Sequence, residues 1–299
     1  MLRVAAVAFV LLVATPVAGA GGDFVDLVVA GSRVWTVGDF GIRSLDVRSG
    51  RSVYSPAPAA ARYDLSVAVA GGAAFVASVA NGYTNGEVTR IDLRTHATTV
   101  VWRRANASAQ YVAAGAGGIY VLVGAVSGNT VVRFSTAGRM TGRWAIAGAG
   151  RIAADASGCW VSATHHLLHI RPDGRVVDVL SAGIGDVATG GGAAWLEGDG
   201  SIVRVDERTG MVQTLHTPGL EARGLQHDLA VGSGYLWTSG RQSVQRRDLR
   251  TGRVEKTLRF GENVDALAIA NASVWVATPT AAYRIDARRL RRTLSVPLV

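Results

Sequence analysis

Seven times the chain sets an aromatic side chain just behind a small-residue turn: at Trp35, Phe75, Tyr120, Trp160, Trp195, Trp237 and Trp275. Successive members stand 35 to 45 residues apart and run through nearly all of the 299 residues. A period of that length constrains the fold more than any local propensity does. Each unit is then one supersecondary element that buries its faces on its neighbours. Three residues before each aromatic stands Ser32, Gly72, Gly117, Ser157, Gly192, Gly234 or Ala272, small enough for a tight hairpin turn. Directly before it stands Val34, Ala74, Ile119, Cys159, Ala194, Leu236 or Val274, all apolar. Side chains alternate across a strand, so two apolar columns side by side mean that both faces are covered.

A second column follows downstream: Asp46, Asp92, Ser135, Arg171, Asp206, Asp248 and Asp286. Two residues earlier stand Arg90, Arg133, Arg204, Arg246 and Arg284, with Ser44 and His169 as exceptions. Gly50, Gly210 and Gly252 close the turn four residues after their Asp. In such a turn the carboxylate accepts backbone N–H groups and glycine takes the positive φ, so Asp46, Asp92, Asp206, Asp248 and Asp286 read as structural. In the fifth unit the runs Val187–Gly190, Ala193–Glu197, Ile202–Asp206 and Met211–Leu215 are rich in residues that favour strands, and no segment sustains a 3.6-residue period. Seven four-stranded units predict an all-β fold, a seven-bladed β-propeller of four-stranded antiparallel blades.

Residues 1–20 read as a signal peptide and 21–299 as a single propeller domain. Arg3 precedes an apolar run from Val4 to Ala14, Pro16 breaks it, and Ala18-Gly19-Ala20 supplies the small-residue cleavage site. The run is too short to span a bilayer, and no later stretch is long enough to replace it. A secreted or periplasmic protein is expected. Cys159 is the single cysteine, so packing rather than an intrachain disulfide must hold the fold. The formal charge of +9 rests on arginine, with Lys256 the one lysine. An anionic envelope polymer is a conceivable partner for such a surface. Nucleic acid is not expected, because Arg288, Arg289, Arg291 and Arg292 have no aromatics interleaved among them.

The segments "LAVGSGYLWTSG", "IAADASGCWVSAT" and "LAIANASVWVAT", each followed by a turn of the Arg-x-Asp-x-x-Thr-Gly kind, resemble the repeats of secreted bacterial YVTN/NHL-type propellers. That superfamily includes the streptogramin-lyase-like proteins. A WD40-like repeat is a poorer match, since no unit pairs Gly-His with Trp-Asp. The resemblance implies a propeller and says little about activity.

The loops on one end of a propeller form the face where ligands and partners usually sit. Two segments stand out there: Ala77–Glu87, with Asn81, Tyr83 and Asn85, and His216–Asp228, which carries His216, Glu221, Arg223, His227 and Asp228. Asp26, Asp186 and Asp228 share a column nine residues before the aromatic, with Tyr111 and Arg151 in the same column of other units. That column reads either as an acidic cluster for a polar ligand or as side chains capping local backbone N–H groups. His165 and His166 read as solvated turn residues. No metal-ligand spacing and no esterase elbow occurs, so neither a metal nor a cofactor is expected. The preferred reading is a non-enzymatic exported propeller that binds a small molecule or protein through its loop face. The alternative is a metal-assisted lyase of the streptogramin-lyase-like type, with His216 or His227 as base and Glu221 with Glu262 holding the cation.

Overall fold

A computed structural model of the chain describes residues 25–38, 41–54, 62–80, 85–181, 185–198, 200–217, 228–270 and 272–298. The leader expected at 1–20 lies outside them. The described residues form twenty-eight strands in seven antiparallel sheets of four. Each sheet is one uninterrupted stretch: residues 25–54, 62–105, 107–145, 149–180, 187–216, 229–259 and 266–297, blades 1 to 7. Within a blade the strands pair in chain order, here termed inner, second, third and outer. The inner strands touch in sequence around a ring, and Ala266–Ala270 of blade 7 returns to Val25–Ala30 of blade 1. The protein is a seven-bladed β-propeller.

Burial falls from the axis outwards, as the apolar content of the strands dictates. Gly158–Ala163, a second strand, is buried at every position, whereas the outer strand Val254–Arg259 is exposed at five of six. All seven aromatics of the column are buried between blades. Removing a large apolar side chain from water contributes about 1.5–3 kcal/mol, so this column repeats one of the main cohesive terms at every blade. Several of its polar tips seal their own hairpin. Trp195 Nε1 donates to Gly190 O at 3.0 Å, Trp237 Nε1 to Gly232 O at 3.2 Å and Tyr120 Oη to Ala116 O at 2.8 Å.

The acidic turns close as single-carboxylate caps. Asp206 Oδ1 accepts from Arg208 N, Thr209 N and Thr209 Oγ1, and Asp46, Asp92 and Asp248 repeat the pattern. Asp286 accepts from Arg288 N and Arg289 N. Backbone N–H donors foremost in four of them, and the Thr251 hydroxyl foremost at Asp248, hold the five carboxyls below their ordinary pKa.

The arginine column reaches between blades. Arg90 Nε donates to Thr136 O of blade 3, and Arg133 Nη1 to Pro172 O of blade 4. Arg246 Nη1 reaches Ala287 O and Arg288 O of blade 7, and Arg284 Nη1 reaches Val47 O of blade 1. Each ties its blade to the third-to-outer turn of the next. Arg204 differs: its guanidinium pairs with Asp206 of its own blade at 3.2 Å.

Among the described residues no strand is exchanged between blades 7 and 1. That seam is held by apolar packing of Leu27, Val29, Val34 and Leu45 against Ala268, Trp275 and Leu298, and by Arg284. Gly50, at φ +69°, sits where a Cβ would collide with the Val296 side chain, so the seam closes over a bare backbone. Two local expectations change. Ala77–Ala80 and Asn85–Glu87 are paired strand, not loop, because the hairpin register continues to Ala80 opposite Asn85; Asn81 and Tyr83 lie outside the described residues. The outer strand of blade 5 is Val212–His216, since Met211 O still accepts from Asp206 N inside the turn.

Candidate functional site

Each inner strand begins at the end of the ring where the chain arrives from the previous blade. The second strand also ends there and the third begins, so the blade links and the second-to-third turns share one face. Asp26, the second residue of its strand, and Asp186 and Asp228, just ahead of theirs, lie at this end around the axis.

Their bonds follow a rule that runs blade to blade. Asp26 Oδ2 accepts from Val67 N of blade 2 at 2.9 Å, and its Oδ1 accepts from Leu27 N at 2.7 Å. Ser66, in the same column, accepts from Val112 N of blade 3 at 3.1 Å. Asp186 Oδ2 accepts from Leu229 N of blade 6 at 2.8 Å. In each bond between blades the donor is the residue directly after the next blade's column member. Asp26, Ser66 and Asp186 therefore cap backbone N–H groups of the neighbouring blade, and Asp26 also caps the local Leu27 N–H.

Asp228 departs from the rule. It is 1% exposed, and neither carboxylate oxygen finds a hydrogen-bond donor among the described residues. Leu267 N–H of blade 7 occupies the expected donor's place and pulls its pKa down, without closing a bond of ordinary geometry. Arg151 sits between these groups. Its guanidinium donates to Tyr111 Oη, lies 4.4 Å from the centre of that ring and stands 3.7 Å from Asp186 Oδ1.

Burial dominates the electrostatics. It raises Asp26 to about 7, against the pull of the Val67 and Leu27 N–H groups and of Arg151. It raises Asp228 well above the carboxylate range, reinforced by the charges of Asp186 and Asp26. Glu197, which follows Asp186 in space through a Glu197 N to Asp186 O bond, is raised to about 8 by burial and then by Asp186, while Arg247 opposes the shift. Its Oε2 also lacks a donor. Arg247 is wholly buried and bonds Thr238 Oγ1, Gly252 O and Gln245 Oε1. The axial end of blades 5 and 6 thus holds a guanidinium and carboxyl groups that retain protons near neutrality. Chemically it can accept N–H or O–H donors and can offer the Arg151 fork.

The other sequence candidates separate. His216 is exposed at the end of its outer strand, and Glu221, Arg223 and His227 lie outside the described residues. Glu262 accepts from Thr280 Oγ1 and Tyr283 Oη and belongs to blade 7 packing. His166 Nδ1 pairs with Asp178 at 2.8 Å on the blade's rim. Among the described residues no three His, Cys, Asp or Glu groups come together in a way that could hold a metal ion. From the sequence Glu197 stood only as one conceivable metal ligand beside His216, Asp199, Glu221, His227 and Asp228. It stands two residues after a column aromatic, and only its burial reveals it.

No family model and no curated protein matches the chain. Solved structures do. BamB from Moraxella catarrhalis superposes with a TM-score of 0.56 at 16% identity over 86% of this chain and 83% of that one. A chain of the nidogen/laminin complex gives 0.53 at 12% identity, over 77% of this chain and 94% of the other. A chain of the mitotic checkpoint complex gives 0.58 at 13%, over 75% and 77%. All three are β-propeller proteins, and at such identities the likeness is one of fold: this chain shares with them the β-propeller architecture.

Proposed function

We propose that the protein is an exported propeller of the YVTN/NHL kind that binds a partner through the loop face around Arg151 and Asp228. The observation that carries this reading is the Asp228 carboxyl, buried with neither oxygen in a hydrogen bond of ordinary geometry among the described residues, in the field of the Arg151 guanidinium. A buried polar group without a partner costs about 1–3 kcal/mol, and a bound donor relieves it. The sibling positions Asp26 and Asp186 each commit Oδ2 to a backbone N–H of the next blade. Support for a protein partner comes from the neighbours of like fold, two of which were solved in named complexes.

The test pairs two variants in capture experiments on envelope extracts, with crosslinking to identify what is held. Asp228→Asn combined with Arg151→Met should release a partner that the wild type and the opposite-face variant Arg208→Ala both retain. Retention by the double variant, with its thermal midpoint unchanged, would place the interaction elsewhere. Recovery of a mature chain beginning at Gly21 outside the cytoplasm tests both export and cleavage after Ala20; an intact Met1 there would refute the cleavage, and a chain confined to the cytoplasm would refute export.

A further inference from the structure

The positive charge is not spread over the ring. Residues 229–299 hold 12 Lys and Arg against 5 Asp and Glu, a net +7 of the chain's +9. Genome-wide preference for arginine does not produce such an asymmetry between parts of one chain. Four of the five acidic groups of this stretch are committed to the fold. Glu255 is bound by Arg246, Asp248 and Asp286 cap their turns, and Glu262 takes the Thr280 hydroxyl. The exposed cations are not committed. Arg253, Lys256 and Arg259 on blade 6, and Arg288, Arg289 and Arg291 on blade 7, form no ion pair among the described residues.

These side chains make one patch. Arg292 Nη2 donates to Arg259 O at 2.7 Å, and Arg246 Nη1 donates to Arg288 O at 2.7 Å while its Nη2 holds Glu255. The outer strands Val254–Arg259 and Arg291–Pro297 are thereby tied together along the rim, and among the described residues the outer strand of each sheet has one unpaired edge. We propose that this rim of blades 6 and 7 docks an acidic, extended segment of a protein partner.

Three features select that partner. Uncompensated guanidinium groups attract carboxylates and engage them through two parallel N–H groups. Free strand edges offer backbone donors and acceptors that an extended polypeptide can complete. The aromatic rings of the region offer no stacking platform to bases or sugars: Phe260 and Tyr283 lie under the Arg292 guanidinium at 4.4 and 4.9 Å. A polypeptide is therefore favoured over a nucleic acid or a glycan.

The experiment uses fluorescence anisotropy with a labelled peptide alternating Glu and Val, its Lys–Val counterpart, a heparin fragment and a single-stranded oligonucleotide of matched charge. The acidic peptide should bind the wild type, and added salt should weaken it steeply. Arg288→Glu with Arg289→Glu and Arg291→Glu should weaken it about tenfold or more. Arg94→Glu with Arg139→Glu and Arg143→Glu carries the same charge change on blades 2 and 3 and should alter it less than about twofold. Circular dichroism of both variants keeps loss of fold separate from loss of binding, and the salt titration reads the native protein. The proposal is overturned if the wild type does not bind the acidic peptide, if both triple variants weaken it alike, or if heparin or the oligonucleotide binds as tightly. Asp228→Asn should leave this binding unchanged, which separates it from the loop-face reading.

Discussion

The arginine column makes a sharp stability prediction, because two of its members share sequence context and differ in what they touch. Arg246 is 9% exposed at its side chain. It donates to Ala287 O at 3.0 Å and Arg288 O at 2.7 Å, contacts Glu255 at 2.9 Å and covers the Tyr235 ring at 4.2 Å. Truncation leaves two carbonyls of the next blade without their donor and Glu255 without its cation. Hydrogen bonds from a charged group contribute about 1.5–3 kcal/mol, and they overlap here rather than add, so Arg246→Ala should cost about 3 kcal/mol. Arg204 makes one polar contact, to Asp206 at 3.2 Å with both side chains about a quarter exposed, and its guanidinium stands 5.8 Å from the centre of the Trp195 ring in its own blade. An ion pair so open to solvent contributes at most about 1 kcal/mol, and Arg204→Ala should cost no more. Urea unfolding measures the difference, and amide exchange locates it: only Arg246→Ala should speed exchange at Ala287 and Leu290, in the turn it holds. Arg246→Lys should recover less than half of the loss, since one ammonium nitrogen cannot replace Nη1 at the two carbonyls together with Nε and Nη2 at Glu255. Equal urea midpoints for Arg246→Ala and Arg204→Ala, or unchanged exchange in that turn, would refute the idea that this column joins blades.

The buried carboxyls set a pH dependence. Asp26 goes from an unperturbed 3.8 to about 7 and Glu197 from 4.5 to about 8, so the folded state holds the protons more tightly than the unfolded chain. Their joint effect is that stability falls as pH rises from about 4 to about 8; Asp26→Asn with Glu197→Gln should flatten that slope in thermal melts, and a wild-type midpoint that climbs over the same range would contradict it. Cys159 is wholly buried and its thiol pKa is pushed well up, so a thiol reagent at neutral pH should label it only on unfolding; rapid labelling of native protein would disprove the burial. Gly50→Ala forces a side chain into a positive-φ position against Val296 and should lower the urea midpoint, whereas Gly210→Ala, at φ +70° but with open space around it, should lower it less; the reverse order would argue that the seam does not close there.

The aromatic column, the hairpin turns and the Asp caps were legible in the sequence because each is a local requirement repeated at one spacing. Trp35 to Trp275 and Asp46 to Asp286 announce themselves by position alone. What stayed hidden was every relation that spans a period. Arg90 and Arg133 looked like parts of their own turns, and their acceptors, Thr136 and Pro172, lie 46 and 39 residues ahead. Asp26 was recognised as a capping candidate, yet its donor Val67 stands 41 residues on. Glu197 read only as one conceivable metal ligand among several, since a single carboxyl after a strand aromatic gives no sign of burial until the fold encloses it. The exceptions carried meaning that only the structure expresses. His169, standing where an arginine was due, stacks on Trp160 at 4.1 Å and bonds Ser157 O, staying within its own blade. The link His216–Asp228 was chosen for its length and polarity, and of the residues named in it the structure describes His216 and Asp228.

Ring closure without strand exchange has a mechanical meaning. Within a blade, separating two strands loads a ladder of backbone hydrogen bonds together. Between blades 7 and 1, tension loads apolar contacts such as Trp275 against Leu27 and the guanidinium of Arg284. Side-chain contacts yield over shorter extensions than a ladder does. Under pulling force the ring is therefore expected to open at this seam while each blade keeps its own sheet, converting a closed wheel into an arc of intact modules.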